Sequence, residues 1–461
     1  MSINTFHGRA NELRKLDNLY ASGKFECVIL HGRLRTGKTS LLQQFMHDKS
    51  CIYFSAQETS DDENLNSLVR AVMAFPRIPA GEQPLKNYYE EVFERLNKLS
   101  RTERLLLVID EYQYLVGSNK GISEFICRFI EQKFSTGKLM IVICGSSEAV
   151  MQSETLDYSA FYGKRTAQIK LEPFTFFEAK RFYSEFSPFD IAVIYGLTSG
   201  IPKYLNMMNP FISVEDNIKN TFFNPASELF EEPETFLRRE VRDPSYYNAV
   251  LKAIATGSNK NSEIATAVGL ETSACTAYLK NLISFGLVGK HTPVTERPGK
   301  KTIYEIEDSM FRFWYRFVPV NASIINAGTI DKIWRSIAHE IPIFMSTVFE
   351  DICRQWVTQR NVENKMPVQF TDVGRWWGYD LVTKEDTYIP IVAYAGDSFA
   401  LFGDAIWSDT PTDESALRNL EERSRLFRYP ERYLYLFSRS GFTDECADLA
   451  IRLGANLVMF E

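Results

Sequence analysis

The stretch Gly32-Arg33-Leu34-Arg35-Thr36-Gly37-Lys38-Thr39 constrains this chain more than any other feature. Its spacing is G-x-x-x-x-G-K-[ST]. It follows the apolar run Phe25–His31 (FECVILH) and precedes a helical pattern that opens at Ser40. A strand, a glycine-bearing turn and a helix N-terminus in that order form a cradle for phosphate. Gly32 and Gly37 let the backbone aim N–H groups at phosphate oxygens, and the helix contributes the positive end of its dipole. Lys38 is a fixed cation for β- and γ-phosphates, and the Thr39 hydroxyl is a ligand for Mg2+. The nucleotide-contacting stretch therefore runs from Gly32 through Ser40. A plain turn with a surface lysine is the alternative, and the flanking strand and helix argue against it.

Such a loop needs a sheet behind it. Cys51–Ser55 (CIYFS), Arg104–Asp110 (RLLLVID) and Leu139–Cys144 (LMIVIC) are short, nearly continuous apolar runs. Runs of that kind suit parallel strands buried on both faces, and the helical patterns between them imply a doubly wound α/β layer. The second run ends in Asp110-Glu111. Asp110 can complete an Mg2+ shell, and Glu111 can accept the proton of an attacking water. Acids often end strands, so the pair gains its meaning from the phosphate loop. Leu139–Cys144 leads into Gly145-Ser146-Ser147, where Ser146 either orients that water or belongs to an ordinary Gly-Ser turn. Arg165 either lends positive charge to the γ-phosphate, from this chain or a neighbouring copy, or is a solvated arginine.

The 461 residues make roughly three domains. A hydrophobic share of 45% excludes a disordered chain, and a net charge of −7 excludes a surface wholly adapted to nucleic acid. Seven cysteines without a CxxC pair and only five histidines disfavour a zinc site or a disulfide framework. Met1 is not followed by a basic-then-apolar leader, and no apolar run approaches the ~20 residues of a membrane helix. The expectation is a cytoplasmic protein with no membrane contact.

Residues 174–243 read as aromatic-rich helices. Tyr246–Thr256, Ser262–Val268 and Thr272–Phe285 read as three short helices, followed by two strands around Pro298-Gly299, which is the pattern of a winged helix-turn-helix. Nine cations against six acids make 244–318 mildly basic. The third helix has only Lys280 and no Arg or Gln for base edges, and its Leu279, Leu282, Ile283 and Phe285 suit a core. Lys290, Arg297, Lys300 and Lys301 could touch DNA phosphates without reading sequence. A joint between domains or a seat for a protein partner is the stronger reading. The tail reads as a helix, strands, a charged helix (Asp413–Phe427), a strand (Tyr433–Phe437), a helix and a last strand (Asn456–Phe460).

These motifs resemble the archaeal-type P-loop ATPases of the STAND/AAA+-related class. The opening Phe6-His7-Gly8-Arg9-Ala10-Asn11-Glu12-Leu13 is similar to the family's F-x-G-R-x-x-E-L, which implies that Arg9 lies near the adenine. Tyr162–Arg165, Leu171–Phe174 and the lid-like Gly200-Ile201-Pro202-Lys203-Tyr204-Leu205 also match. In the tail, Gly374–Gly378, Ile391–Ala393 and Phe437–Phe442 resemble a domain of unknown function often fused to these ATPases, itself similar to the PD-(D/E)XK nuclease fold. There the metal-holding strand acid is replaced by Pro390, the strand Glu by Asp404 and the Lys by Ile406, while Glu350 matches the helix acid. Glu350 and Asp404 are expected to be surface acids, and the tail inactive as a nuclease.

The fold expected is an α/β P-loop NTPase (AAA+-like) over 1–173, with a helical lid over 174–243. A winged helix-turn-helix over 244–318 and an α/β restriction-endonuclease-like domain over 319–461 complete it. The function expected is Mg2+-dependent ATP hydrolysis driving a conformational switch. Glu111, Lys38, Ser146 and Arg165 would carry catalysis, and Thr39 and Asp110 the metal. A DNA-associated regulatory or defence ATPase and an ATP-gated scaffold without turnover are the alternatives.

Overall fold

A computed structural model describes residues 8–76, 88–183, 186–294, 301–380 and 383–460. Phe6, His7, Arg297 and Lys300 lie outside the described residues. The chain divides into two compact units. One comprises the chain up to Pro173 with Ile201–Lys203, and the other Phe174–Gly200 with the chain from Tyr204 onward.

The first unit runs α1 (Ala10–Ala21), β1 (Glu26–His31), α2 (Lys38–Met46), β2 (Cys51–Ser55), α3 (Asp61–Met73) and α4 (Tyr89–Thr102). It continues β3 (Leu105–Asp110), α5 (Tyr112–Ser118), α6 (Ile122–Gln132), β4 (Leu139–Gly145), α7 (Glu148–Ser153) and β5 (Ala167–Lys170). The strands form one parallel sheet in the order β2-β3-β4-β1-β5. Every residue of β1, β3 and β4 is buried, as their unbroken apolar sequences require. Alternate side chains feed opposite layers. Cys27 and Ile29 join the core that includes α3, α4 and α6, whereas Val28 and Leu30 join the core against α1 and α2. Helix α3 starts where it does because Ser60 accepts from the Glu63 N–H and three acids occupy the first turn. Strand β5 has no apolar run to announce it; only Ile169 is buried in this edge strand.

The second unit opens with α8 (Phe176–Ala179), α9 (Pro188–Thr198), α10 (Pro202–Leu205, whose first residues belong to the first unit), α11 (Val214–Phe222) and α12 (Glu228–Glu240). The two ends of its first segment meet at Gly200: the Phe174 N–H donates to the Gly200 carbonyl at 2.9 Å. At φ +66° a methyl on Gly200 would overlap the Phe174 oxygen. Three helices follow, α13 (Ser245–Ala255), α14 (Asn261–Val268) and α15 (Thr272–Ser284), then β6 (Val288–His291) and β7 (Ile303–Ile306), paired antiparallel. Leu279, Leu282 and Phe285 are buried, as their spacing on α15 implies, while Ile283 is half-buried.

After α16 (Ser309–Phe317), α17 (Ala322–Asn326), α18 (Ile330–Ile337) and α19 (Ile341–Val362), the tail forms a second sheet. Strands β8 (Asp372–Tyr379), β9 (Asp386–Ala395) and β10 (Phe399–Ile406) pair antiparallel. Strands β11 (Glu431–Ser438) and β12 (Asn456–Met459) add in parallel through α20 (Glu414–Ser424) and α21 (Asp444–Leu453), in the order β12-β11-β10-β9-β8.

The lid-like helices, the three-helix module and the tail, read above as three segments, pack within this one unit. The β6–β7 pair is fastened to β8. The Val294 N–H donates to the Arg375 carbonyl at 2.9 Å, and the Trp377 indole N–H to the Lys301 carbonyl at 3.0 Å. Arg375 pairs with Glu305, and the Lys301 ammonium stands 5.4 Å over the Trp376 ring. Among the described residues no helix is long and apolar enough to cross a membrane.

Phe313 on α16 is buried among aromatic rings of this unit, with ring centroids of Phe222 and Phe317 each at 4.8 Å and Phe344 at 5.4 Å. Phe313→Ala should lower the unfolding free energy of this unit by about 3–5 kcal/mol, and Phe313→Leu by clearly less. Urea unfolding followed by tryptophan fluorescence checks this.

Candidate functional site

The parallel register brings three strand ends to one edge of the first sheet: His31 faces Gly145, and Ile109 faces Ile143. The loop Gly32–Gly37 leaves β1 at that edge. Gly32 has φ +152°, and a methyl there would overlap the carbonyl oxygen of Leu171, whose N–H donates to His31 O at 2.7 Å. Only the bare backbone fits between β1 and β5 at this point. The loop is closed internally by the Thr36 hydroxyl donating to the Arg33 carbonyl at 2.8 Å.

Lys38 is buried, and its ammonium donates to the Gly32 and Arg33 carbonyls at 2.7 and 2.8 Å. Burial pulls it below the ordinary lysine range, against the opposing pull of Cys144, Glu111, Asp110 and Glu148. The ammonium is thus held at the mouth of the loop by hydrogen bonds to two of the loop's own carbonyls. Arg33 is buried, Leu34 and Arg35 are half-buried, and Thr39 and Ser40 are exposed in the first turn of α2. Arg9 braces the loop from behind, donating to the carbonyls of Thr36 at 3.1 Å and Glu172 at 2.6 Å.

The Thr39 hydroxyl lies 3.2 Å from Asp110 Oδ2 and donates to it, although the two residues are 71 apart in sequence. A hydroxyl and a carboxylate converging at a phosphate loop fit a hard divalent cation, so Thr39 and Asp110 are the pair that would hold Mg2+. Tyr53 from β2 donates to the same Oδ2 at 2.9 Å. Glu111 sits in the left-handed region at φ 53°, which turns its side chain away from the strand line. Its carboxylate accepts from the Ser146 hydroxyl at 3.2 and 3.0 Å and from the Gln113 amide. Beneath the loop, buried His31 stands 3.7 Å from Glu148.

Arg165 is placed elsewhere. Its N–H donates to Phe161 O, and Thr166 bonds the backbone of Cys27, at the far end of β1 from Gly32. Cys27 and Gly32 are five positions apart along the strand, about 16 Å. A role for Arg165 at the phosphates of its own chain is therefore corrected. The tail acids are corrected too, because they are not surface groups. Glu350 accepts from the Tyr388 hydroxyl at 2.6 Å and lies 3.8 Å from Arg354; Asp404 pairs with Arg423. Burial pushes the Glu350 carboxyl up, with Tyr388 and Arg354 pulling the other way. Ile406 packs with Leu417, Leu436 and Cys446 inside the tail. Among the described residues no three His, Cys, Asp or Glu side chains group as a metal site.

Sequence reasoning missed Gln113 and Tyr53. The one signal for Tyr53 is a polar tip inside an apolar strand, and for Gln113 an amide two residues past the acid.

Residues 6–208 match a family described as an ATPase domain predominantly from Archaea, and residues 314–420 match archaeal and bacterial proteins of unknown function. An uncharacterized protein of Methanocaldococcus jannaschii is 29% identical over 437 residues, covering 91% of this chain and 92% of that one. A Walker-type ATPase of Pyrococcus abyssi has a similar fold, with a TM-score of 0.54, 23% identity, and coverage of 68% of this chain and 96% of that one. The ORC2 protein of Aeropyrum pernix aligns with a TM-score of 0.48 and 14% identity over 71% of this chain and 97% of that one.

Gly32→Ala should disrupt the phosphate loop and the β1–β5 contact together, at an expected cost of about 1–3 kcal/mol. A lowered melting temperature together with lost fluorescent-ATP binding is the expected reading. Parental values for both would contradict the packing described.

Proposed function

We propose that the chain is an Mg2+-dependent ATP hydrolase whose nucleotide state switches its conformation. The observation that carries the reading is the convergence of Lys38, Thr39–Asp110 and Glu111–Ser146 at one edge of a single sheet. Lys38 and the loop N–H groups would bind the phosphates. Thr39 and Asp110 would hold Mg2+, which supplies charge neutralisation when bound. Glu111, held between hydroxyl and amide donors, is set to accept a proton from water, and Ser146 keeps its carboxylate in place. A scaffold that binds ATP without turnover would have no use for an acid so held.

The switch is supported by the path of the chain. Ile201–Lys203 groups with the phosphate-loop unit, and Pro202 lies 3.7 Å from where a Gly37 methyl would stand. The residues on either side belong to the other unit. A change at the loop therefore pulls on a segment flanked by lid helices.

Lys38→Ala should weaken ATP binding about 10- to 100-fold, the worth of one charge-assisted contact. Glu111→Gln should bind ATP normally and lose about 100-fold or more in turnover. Fluorescent-ATP titration and phosphate release separate the two effects, and parental turnover in Glu111→Gln would remove the role given to that residue.

For the module 244–318 we propose a joint between helices and tail rather than a nucleic-acid arm. Lys301 is engaged with Trp376 and Trp377, and Arg375 with Glu305, so the base of the hairpin is committed to β8. The tail is proposed to lack metal-dependent cleavage, with Arg354 and Arg423 set against its two carboxylates. Full-length protein with Mg2+ or Mn2+ should leave supercoiled and single-stranded DNA uncut and bind random duplex only weakly. Cleavage that disappears in Asp404→Ala would reverse the reading.

A further inference from the structure

We infer that Gln113 is a positioning residue that, with Ser146, aims the Glu111 carboxylate at the phosphate loop. This rests on the reading of Glu111 as the proton acceptor. Gln113 uses both ends of its amide. Its Nε2 donates to Glu111 Oε2, and its Oε1 accepts from the Ser146 backbone N–H at 3.1 Å. The Ser146 hydroxyl closes the ring by donating to Glu111. Three residues thus tie the end of β3 to the end of β4.

The direction of the tie follows from the strand order. Strand β4 lies between β3 and β1. A carboxylate held over the end of β4 is held on the side of β3 that faces Gly32–Thr39. Without the tie, the Glu111 side chain has a left-handed backbone behind it and free torsions ahead of it, and would sample orientations away from the loop. Room for the amide is set aside at Gly145. A methyl there would stand 3.0 Å from Gln113 Oε1 and overlap the Met151 sulfur. The residues that make the ring occupy three different places, a turn, the start of α5 and a strand end, and both donors to the carboxylate are side-chain groups that helix and strand pairing do not use.

The test replaces Gln113 by Met, which keeps length and bulk but removes both polar ends. Phosphate release, fluorescent-ATP affinity and melting temperature are measured for the full chain carrying Gln113→Met, Glu111→Gln or both. Gln113→Met should bind ATP within about twofold of the parent and lose about tenfold in kcat, the worth of one hydrogen bond to a charged group. In the Glu111→Gln background the same change should have no further effect, because the group it positions is gone. Gln113→Glu, which keeps the length and replaces the donor by an acceptor facing Glu111, should also lower kcat at unchanged affinity, and it stands in if the Met variant does not fold. Parental kcat in Gln113→Met beside an inactive Glu111→Gln overturns the positioning role alone. An equal loss in both backgrounds overturns it as well, since the amide would then act independently of Glu111. Parental kcat in Glu111→Gln instead overturns the reading on which the inference rests.

Discussion

Strand β4 hydrogen-bonds to β3 on one flank and to β1 on the other, all three running in the same direction. That shared direction delivers Gly32, Asp110–Glu111 and Gly145–Ser146 to one edge. An antiparallel β4 would carry Ser146 to the opposite end of the sheet and leave Glu111 without its hydroxyl partner. The arrangement is stable because these strands are apolar throughout and bury both faces, so no register slip is cheap. Chemistry at the edge is anchored by hydrophobic packing several residues away from it.

Elements whose evidence is local are legible in the sequence. The phosphate loop carries its geometry in its own glycines, and β1, β3 and β4 advertise burial by composition. Asp110 and Glu111 follow from the strand that ends on them. What was not readable depends on side chains meeting across long separations. Gln113 looks like any helical glutamine until β4 brings Ser146 beside it. Arg165 is close in sequence to β5 but at the wrong end of it, and a motif has no sense of which end of a strand it occupies. Strand β5 has one buried residue, too weak a pattern to register. Glu350 and Asp404 looked solvated because the Tyr388 hydroxyl that bonds Glu350 comes from β9 and the Arg423 that pairs with Asp404 comes from α20.

The tail sheet shows how an edge can be put to use. Strand β8 is its last strand and would otherwise present unpaired backbone groups, the standing hazard of open sheets. Here the Arg375 carbonyl accepts from Val294, while the two tryptophans of β8 take hold of Lys301 by its carbonyl and its ammonium. Lys301, at the base of the hairpin, is thereby drawn into holding the tail sheet to its neighbour.

The short passage Ile201–Lys203 has a consequence for how such a chain can be divided or inherited. The polypeptide changes units after Pro173, again after Gly200 and again after Lys203. No single cut separates the two units cleanly. A fragment ending at Pro173 would keep Gly32 through Thr39 and Asp110 through Ser146, yet would lose the proline that flanks Gly37. The two units are thus stitched rather than strung, and exchange of one for a foreign counterpart would have to carry the stitch with it.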